Sequence, residues 1–273
     1  MTVGSLGSLE IVTDAAHGGR WTSLNAGGRE WLWRREGTGR DEVVPGDAFV
    51  DAGGLEECVP TVRGTPDHGD AWSRAWTSGG AGTESVSCEQ FSLSRTVGEE
   101  GRVDYVLRAD PGFRFVWAAH ALLELSPRAT VRLPEGASTR LYPSANDSWV
   151  KGSWPTPDGS RLDRFGPDDG TAVGAVVDAD RACVHDDEDR LSFTLEVLGV
   201  LEDPGGGAQP VSIALWRNLG GFPDADPYRS TGVEPMLGRV FDLAEAGSGD
   251  AAEVPASGEV RWRLIVTAGC NCP

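Results

Sequence analysis

The chain has 273 residues and a formal net charge of −18, from 24 Lys and Arg against 42 Asp and Glu. This excess of acid repels a phosphate backbone, and the arginines are scattered among the acids, so nucleic acid is not an expected partner. The single lysine, Lys151, and the four histidines leave few candidates for Schiff-base chemistry or a histidine-rich metal centre. We therefore expect neither a metal ion nor a cofactor.

No change in composition along the chain marks a domain boundary, so we predict one domain, residues 1–273. Two glycine-rich stretches, Pro204–Gly207 and Gly247–Asp250, are typical of hairpin loops, because strand-like sequence resumes soon after each. Met1–Gly7 has neither a basic nor an apolar segment, and no run approaches the ~18 apolar residues that span a bilayer. These features predict a cytoplasmic protein with no membrane partner, and they leave its oligomeric state open.

Five cysteines stand at irregular spacings: Cys58, Cys88, Cys183, Cys270 and Cys272. An odd number without regular spacing does not indicate a disulfide framework, which fits a reducing compartment. Cys270 and Cys272 could form a redox pair or bind a metal, but two thiols lack the further ligands that a zinc site needs. We predict free thiols and a frayed C-terminal tail.

Apolar residues alternate with a period of two along much of the chain, and no long stretch keeps the spacing of an amphipathic helix. In Phe113–Leu122 the alternation places Trp117 on one face and His120 on the other, with apolar neighbours on both. Similar alternation predicts strands at Val103–Leu107, Leu191–Val197, Val211–Leu215 and Trp262–Val266. The nearest helical stretch, Arg239–Glu245, would make two turns at most. We predict an all-β fold of at least ten strands, as a sandwich or barrel.

Chemically capable side chains concentrate first in a glycine-bounded segment that runs from Gly53 to Trp76. Its second half contains Asp67, His68, Trp72, Arg74 and Trp76. Loops that carry polar and aromatic groups on a rigid scaffold are where sites usually form. The alternative is a surface loop that its tryptophans fasten to the core.

Two later segments carry further candidates. His120, on its apolar strand, is either a functional residue or a core histidine satisfied by one hydrogen bond. Glu234 stands among apolar residues, directly before a proline that keeps the chain extended. A carboxylate in such surroundings either pairs with a cation or has its pKa raised. Trp216 lies in the same part of the chain.

Other patterns indicate structure rather than chemistry. His185–Asp189 offers oxygen ligands but lacks the spacing of a calcium loop, so it is interpreted as a solvated turn. His17, before two glycines, is interpreted as a turn residue. The sequence contains no glycine-rich phosphate loop, Gly-x-Ser-x-Gly or His-Glu-x-x-His motif.

Taken together, the segments resemble the aldose 1-epimerase (galactose mutarotase-like) superfamily, in a bacterial branch. The resemblance covers almost the whole chain, in the order Gly18–Leu24, Gly53–Thr61, Asp67–Trp76, Trp117–Leu123, Trp216 with Gly220-Gly221, and Gly232–Gly238. It implies a large antiparallel β-sandwich with a sugar cleft, and interconversion of the α and β anomers of a free sugar. By position, His120 is similar to the family's general acid, Glu234 to its general base and His68 to a second histidine near the sugar. Arg74 resembles the basic residue that follows that histidine.

The chemistry of the reaction agrees with these residue types. Opening a hemiacetal ring needs a base at the anomeric hydroxyl and an acid at the ring oxygen, which Glu234 and His120 supply. Their reference pKa values are about 4.3 and 6.5, and we expect the site to raise both. A pyranose also has apolar C–H faces and polar hydroxyls. The residues expected to bind them are Asp67, Trp72, Trp76 and Trp216.

Other functions stay open. The Gly-Arg-x-x-Asn-Arg segment of the best-known galactose mutarotases is missing, and Asp163 is the only candidate for their substrate-binding aspartate, so the sugar is undetermined. A hexose-phosphate mutarotase would need Arg63 and Arg74 to clamp the phosphate, which the acidic charge disfavours. Hydrolysis by paired carboxylates would need a second acid, such as Glu56 or Asp70. A non-catalytic carbohydrate-binding protein could share the same fold.

Overall fold

The computed structural model describes residues 9–142, 148–199 and 208–270. Strands dominate these residues. In chain order they are β1 (Leu9–Asp14), β2 (Arg20–Ala26), β3 (Arg29–Glu30), β4 (Leu55–Cys58), β5 (Thr77–Ser78), β6 (Thr83–Ser87), β7 (Phe91–Val97), β8 (Arg102–Ala109), β9 (Arg114–Phe115), β10 (Trp117–Leu123), β11 (Thr130–Arg132), β12 (Ser138–Leu141), β13 (Val150–Ser153), β14 (Ala172–Val177), β15 (Arg181–Asp186), β16 (Asp189–Leu198), β17 (Val211–Phe222), β18 (Tyr228–Leu237), β19 (Ala252–Glu253) and β20 (Glu259–Thr267).

The strands form two large antiparallel sheets. One has the order β1-β2-β4-β10-β18-β17-β14-β12-β13, with β3 paired to β2, and the other has the order β11-β15-β16-β20-β8-β7-β6-β5. The inner faces pack together: Trp117 of the first sheet lies 5.0 Å from Trp262 and 4.9 Å from Tyr105 of the second, between ring centroids. The predicted all-β class and the large antiparallel sandwich are confirmed.

The stretch Phe113–Leu122, predicted as one strand, is two. β9 pairs with β19 in a small separate sheet, whereas β10 lies in the centre of the first large sheet. Between them Val116 donates its backbone N–H to Pro60 O at 2.7 Å, so the chain changes partners there. The predicted alternation holds: Trp117 packs in the core between the sheets, and its neighbour Ala118 belongs to a second cluster on the other face.

Helical structure is confined to single turns in the described residues. The predicted stretch Arg239–Glu245 is helical only at Leu243–Glu245, a 3₁₀ turn that Asp242 caps by accepting a hydrogen bond from Ala244 N at 2.8 Å. None of the helical turns in the described ranges could cross a membrane. Gly247–Asp250 forms a turn as predicted, and Pro204–Gly207 lies outside the described residues.

The expectation of free thiols is wrong for one pair. Cys183 on β15 and Cys270, just beyond β20, form a disulfide with their Cα atoms 6.1 Å apart. β15 and β20 both pair with β16, so the sheet brings together two residues 87 positions apart in sequence. Sequence spacing carries no sign of this proximity. Cys58 and Cys88 are free, and Cys272 lies outside the described residues.

A charged cluster is buried between the two sheets. Glu57 on β4 accepts hydrogen bonds from Arg95 Nη1 at 2.7 Å, Tyr105 OH at 2.9 Å and Trp117 Nε1 at 2.8 Å. Arg95 also binds Glu84 Oε2 at 2.7 Å, and its side chain is fully buried. A buried charge is tolerated only when it is paired and its hydrogen-bonding groups are satisfied. Arg95 therefore ties β4 of one sheet to β6 and β7 of the other.

We expect Arg95→Ala to destabilise the fold by about 3–5 kcal/mol, because it leaves two buried carboxylates without their cation. The measurement is urea denaturation followed by circular dichroism. Arg261→Ala is the matched control, since Arg261 pairs with Glu259 on the surface and half of its side chain is exposed. Equal shifts in the two variants would contradict the role assigned to the buried cluster.

Candidate active site

Three ionisable side chains form a row across adjacent strands of the first sheet. His120 on β10 is the register partner of Glu56 on β4. On its other side β10 pairs with β18 through Ala118–Met236 and Leu122–Gly232, which sets Glu234 opposite His120. Residues in register on neighbouring strands point to the same face. Glu56, His120 and Glu234 therefore share the outer face of the sheet, away from the core.

The central pair of the site is His120 and Glu234. His120 Nε2 lies 3.8 Å from Glu234 Oε1, too far for a direct hydrogen bond and close enough for strong electrostatic interaction. The side chains are 13% and 3% exposed. An imidazole and a carboxyl group are thus held side by side with little exposure to solvent. Both are carried by strands of the sheet rather than by loops.

A glycine makes room for the carboxylate of Glu234. A Cβ atom on Gly232 would lie 2.3 Å from Glu234 Oε1 and 3.2 Å from Cβ of Trp216. Trp216 is the register partner of Gly232 on β17, and its indole N–H donates to Ser230 Oγ at 3.1 Å. The structure thus places Trp216 close to Glu234.

The segment between β4 and β5 brings His68 to the pair. The His68 and His120 rings meet edge to face with centroids 5.1 Å apart. His68 has φ of +60°, a left-handed conformation that is uncommon for a residue with a side chain. Its Nδ1 lies 3.3 Å from Asp67 Oδ2, and Trp72 Nε1 donates to Asp67 O at 3.2 Å. Asp67, His68 and Trp72 therefore form one structural unit next to His120.

An aromatic residue that the sequence analysis did not single out covers this unit. Phe49 stacks on His68 with centroids 3.5 Å apart and planes within 9°. Its edge faces Trp72 at 5.0 Å and His120 at 6.1 Å. Phe49 is the only Phe, Tyr or Trp in the sequence between Trp33 and Trp72, and neither periodicity nor a motif distinguished it.

A buried ion pair supports the other end of the row. Arg40 donates to Glu56 through Nε at 3.0 Å and Nη2 at 2.8 and 2.9 Å. Nη2 also approaches the backbone oxygens of His17 at 3.1 Å and Trp72 at 3.2 Å. The guanidinium thereby joins β4 to the segment that carries Trp72. Sequence reasoning considered Glu56 only as a hydrolytic acid and did not consider Arg40. The available signal was two consecutive glutamates in an apolar run.

Burial changes the proton affinities of the central pair in opposite directions. It raises the pKa of Glu234 above its ordinary value, and His120 partly offsets this effect. It lowers the pKa of His120, with Glu234 acting in the opposite sense. The expectation that both values rise is therefore wrong for His120, because loss of solvent outweighs the nearby carboxylate. Each pKa therefore shifts in the direction of the other group's ordinary value, and burial favours the neutral form of both groups.

The flanking acids are also perturbed. Burial raises the pKa of Glu56 to about 7, although Arg40 acts in the opposite direction. The pKa of Asp67 is lowered: burial opposes the shift, but the interactions with His68 and Arg63 outweigh it. Asp67 is accordingly ionised at neutral pH, next to the histidine that contacts His120.

Some predicted site residues are not brought to the pair. Trp76 packs in the core between the sheets, donates its indole N–H to Ala71 O at 3.1 Å and lies under Arg95. Arg74 acts on Cys88, whose pKa burial raises to about 12 while the charge of Arg74 lowers it. The two aspartates considered from sequence also lie elsewhere. Asp70 is near Cys88, and Asp163 accepts a hydrogen bond from Arg161.

Of the two remaining histidines, His17 lies in a turn, as its sequence context suggests, and His185 lies on a strand. His17 is between β1 and β2, with Nδ1 at 2.8 Å from Asp14 Oδ2. His185 is on β15, just before the turn into β16. Asp186, the last residue of β15, is buried and pairs with Arg29, so the prediction of a solvated turn is wrong for this residue. No group of residues suited to hold a metal ion occurs within the described part of the chain.

Comparison with solved structures agrees with the observed fold. The chain aligns with the Slr1438 protein from Synechocystis sp. PCC 6803 at a TM-score of 0.67 and 14% identity, over 97% of this chain and 96% of that one. A candidate aldose 1-epimerase from Escherichia coli aligns at 0.63 and 15%, over 96% and 97% of the two chains. Galactose 1-epimerase from Lactobacillus acidophilus aligns at 0.53 and 11%, over 97% and 92%. The chain has the galactose mutarotase-like fold. Neither models of protein families nor curated protein sequences give a match.

The raised pKa of Glu234 makes stability depend on pH. A carboxyl group whose folded-state pKa exceeds its unfolded value favours folding below the unfolded pKa, and this contribution is lost as pH rises through the folded pKa. Glu234→Gln removes the titration. We therefore expect the urea midpoint of Glu234→Gln, relative to wild type, to increase from pH 5 to pH 8. The exposed Glu253→Gln serves as the control. If the difference in urea midpoint between Glu234→Gln and wild type did not change with pH, burial of Glu234 would not raise its pKa.

Proposed function

We propose that the protein is an aldose 1-epimerase that interconverts the α and β anomers of a free aldose. The observation that supports the proposal most directly is the buried pair of His120 Nε2 and Glu234 Oε1, 3.8 Å apart, on the outer face of the sheet. Mutarotation needs one group that accepts a proton and one that donates a proton, both near the anomeric carbon. A pair that shares one proton meets this need.

The proposed reaction starts with Glu234 ionised and His120 protonated, two charges that burial disfavours and that stabilise each other across 3.8 Å. Glu234 removes the proton of the anomeric hydroxyl as His120 protonates the ring oxygen. The C1–O bond to the ring oxygen breaks and the carbonyl of the open-chain aldehyde forms. Rotation about the C1–C2 bond presents the other carbonyl face. The hydroxyl formed from the ring oxygen then attacks C1. His120 takes back its proton from this hydroxyl, and Glu234 returns its proton to the new anomeric oxygen. The two side chains end as they began.

The opposite pKa shifts suit this exchange. Glu234 and His120 each act once as acid and once as base, in ring opening and ring closure. Such a reversible step is fastest when neither group holds the proton much more tightly than the other. Burial raises the pKa of Glu234 and lowers that of His120, so each pKa shifts in the direction of the other group's ordinary value. We expect Trp216 and Trp72 to contact the apolar sugar face, and Asp67 and His68 to contact hydroxyls.

The arginines support a free sugar over a sugar phosphate. The phosphate clamp considered from sequence would need Arg63 and Arg74. Arg74 instead lies beside Cys88, so Arg63, which is exposed and acts on Asp67, lacks the second cation of the clamp. Arg40, which is close to the pair, is buried and engaged with Glu56 and two backbone oxygens. A phosphate needs cations with free donors.

We expect the wild type to accelerate the anomeric equilibration of freshly dissolved α-glucose or α-galactose in a polarimeter. Glu234→Gln and His120→Asn should each lower the rate at least ~10²-fold, since each removes one partner of the proton exchange. Glu253→Gln, on an exposed strand end, should match the wild type. No acceleration by the wild type on a broad panel of aldoses would refute the proposal. Sugar binding by calorimetry without any acceleration would indicate a binding protein, and acceleration confined to sugar 6-phosphates would indicate the phosphate-specific enzyme.

Gly232→Ala tests the geometry of the pair without changing either reacting group. The added methyl would lie 2.3 Å from Glu234 Oε1, so the carboxylate must move. Displacement of a catalytic group by ~1 Å costs on the order of 10²-fold in rate, and we expect that loss in kcat. Gly80→Ala is the control, because a Cβ there meets nothing within 4 Å. Full activity in Gly232→Ala would show that the position of Glu234 is not critical.

A further inference from the structure

The acid and base of the proposed reaction are closed off from solvent. The side chains of His68, His120 and Glu234 are 9%, 13% and 3% exposed. A pyranose must place its anomeric hydroxyl and ring oxygen within ~2.6–3.2 Å of such groups for proton transfer. A sugar therefore cannot reach the pair in this arrangement unless a neighbouring residue moves.

Phe49 is the residue that covers the histidines. Its ring lies flat on His68, with centroids 3.5 Å apart, and presents its edge to His120 at 6.1 Å and to Trp72 at 5.0 Å. His120 and Glu234 are carried by hydrogen-bonded strands in the middle of a sheet, and packed strands do not move separately. Phe49, His68 and Trp72 all lie outside the strands and helical turns. The segment with His68 and Trp72 is tied to its surroundings, since Asp70 N donates to Val59 O at 2.7 Å and Trp72 O accepts from Arg40 Nη2 at 3.2 Å. The segment with Phe49 is held less firmly.

The segment 43–50, which carries Phe49, has few attachments of its own. Its described hydrogen bonds are internal: Asp47 N donates to Val44 O at 3.1 Å, and Val44 N donates to Asp47 Oδ2 at 2.9 Å. Residues 44–48 are exposed, and the side chain of Val44 is 56% exposed. Few buried contacts and few hydrogen bonds to the body are the marks of a segment that opens at low cost.

Both ends of this segment are firmly held. Before it, Arg40 is fixed by Glu56 on β4. After it, Asp51 accepts hydrogen bonds from Gly53 N at 2.9 Å and from the Tyr228 hydroxyl. The segment is thus a short flap between two anchors, with an aromatic ring near its second anchor that reaches into the site.

We propose that Phe49 gates the His120–Glu234 site: its ring closes the site when no sugar is bound and leaves His68 when a sugar enters. The effect on sugar rests on the proposed function, whereas the covering of the histidines does not. In this arrangement the ring and the sugar compete for the face of His68. The apparent affinity for sugar is then reduced by the fraction of time that the site is closed.

The first test measures access to the histidines without any sugar. Diethyl pyrocarbonate modifies neutral imidazoles, and mass spectrometry of peptides gives the rate at each histidine. We expect Phe49→Ala to increase the rates at His68 and His120 several-fold and to leave His17, which is outside the site, unchanged. Val44→Ala, on the exposed part of the flap, should match the wild type. Unchanged rates at His68 and His120, or an equal increase at His17, would overturn the gate.

The second test measures competition between the ring and the sugar. We expect Phe49→Ala to lower KM several-fold without raising kcat, because the sugar no longer displaces the ring. A higher KM would show that the ring is a wall that binds the sugar, and would overturn the gate. If the wild type accelerates no sugar while Phe49→Ala exposes His68 and His120 to the reagent, the gate stands and the proposed epimerase fails.

Discussion

The structure depends on the burial of two consecutive glutamates on β4. Successive residues of a strand point to opposite faces, so Glu57 enters the core between the sheets and Glu56 enters the outer face. Neither carboxylate can be left without a partner at such depth. Arg95 supplies the cation on the inner side and Arg40 on the outer side. The first interaction joins the two sheets, and the second joins the sheet to the segment that lines the candidate site.

Much of the fold could be predicted from the sequence. Alternation of apolar residues is a local property, and it correctly predicted strands, an all-β class and the opposite faces of Trp117 and His120. The choice of His120, Glu234 and His68 came from the order of motifs, and the structure brings these three together. Their catalytic roles remain a prediction.

The features that sequence reasoning missed all depend on contacts between distant residues. Phe49 has no periodic or motif signal, and its importance appears only when its ring is seen on His68. The disulfide joins positions 87 residues apart through strands that share β16. The direction of the His120 pKa shift is a balance of burial against a nearby carboxylate, and the sequence contains the carboxylate but not the burial. Trp76 and Arg74 follow His68 closely in sequence, yet the chain turns them away from the pair.

The placement of His120 and Glu234 on neighbouring strands has a consequence for how such a protein can diverge. The separation of the two groups is fixed by the hydrogen-bond ladder between β10 and β18, whereas Phe49, His68 and Trp72 stand on connecting segments. Loops tolerate insertion and replacement far better than the centre of a sheet. The His120–Glu234 pair and its surroundings are therefore separable, and new ligand preferences can arise by rebuilding the loops while the geometry of the pair is kept.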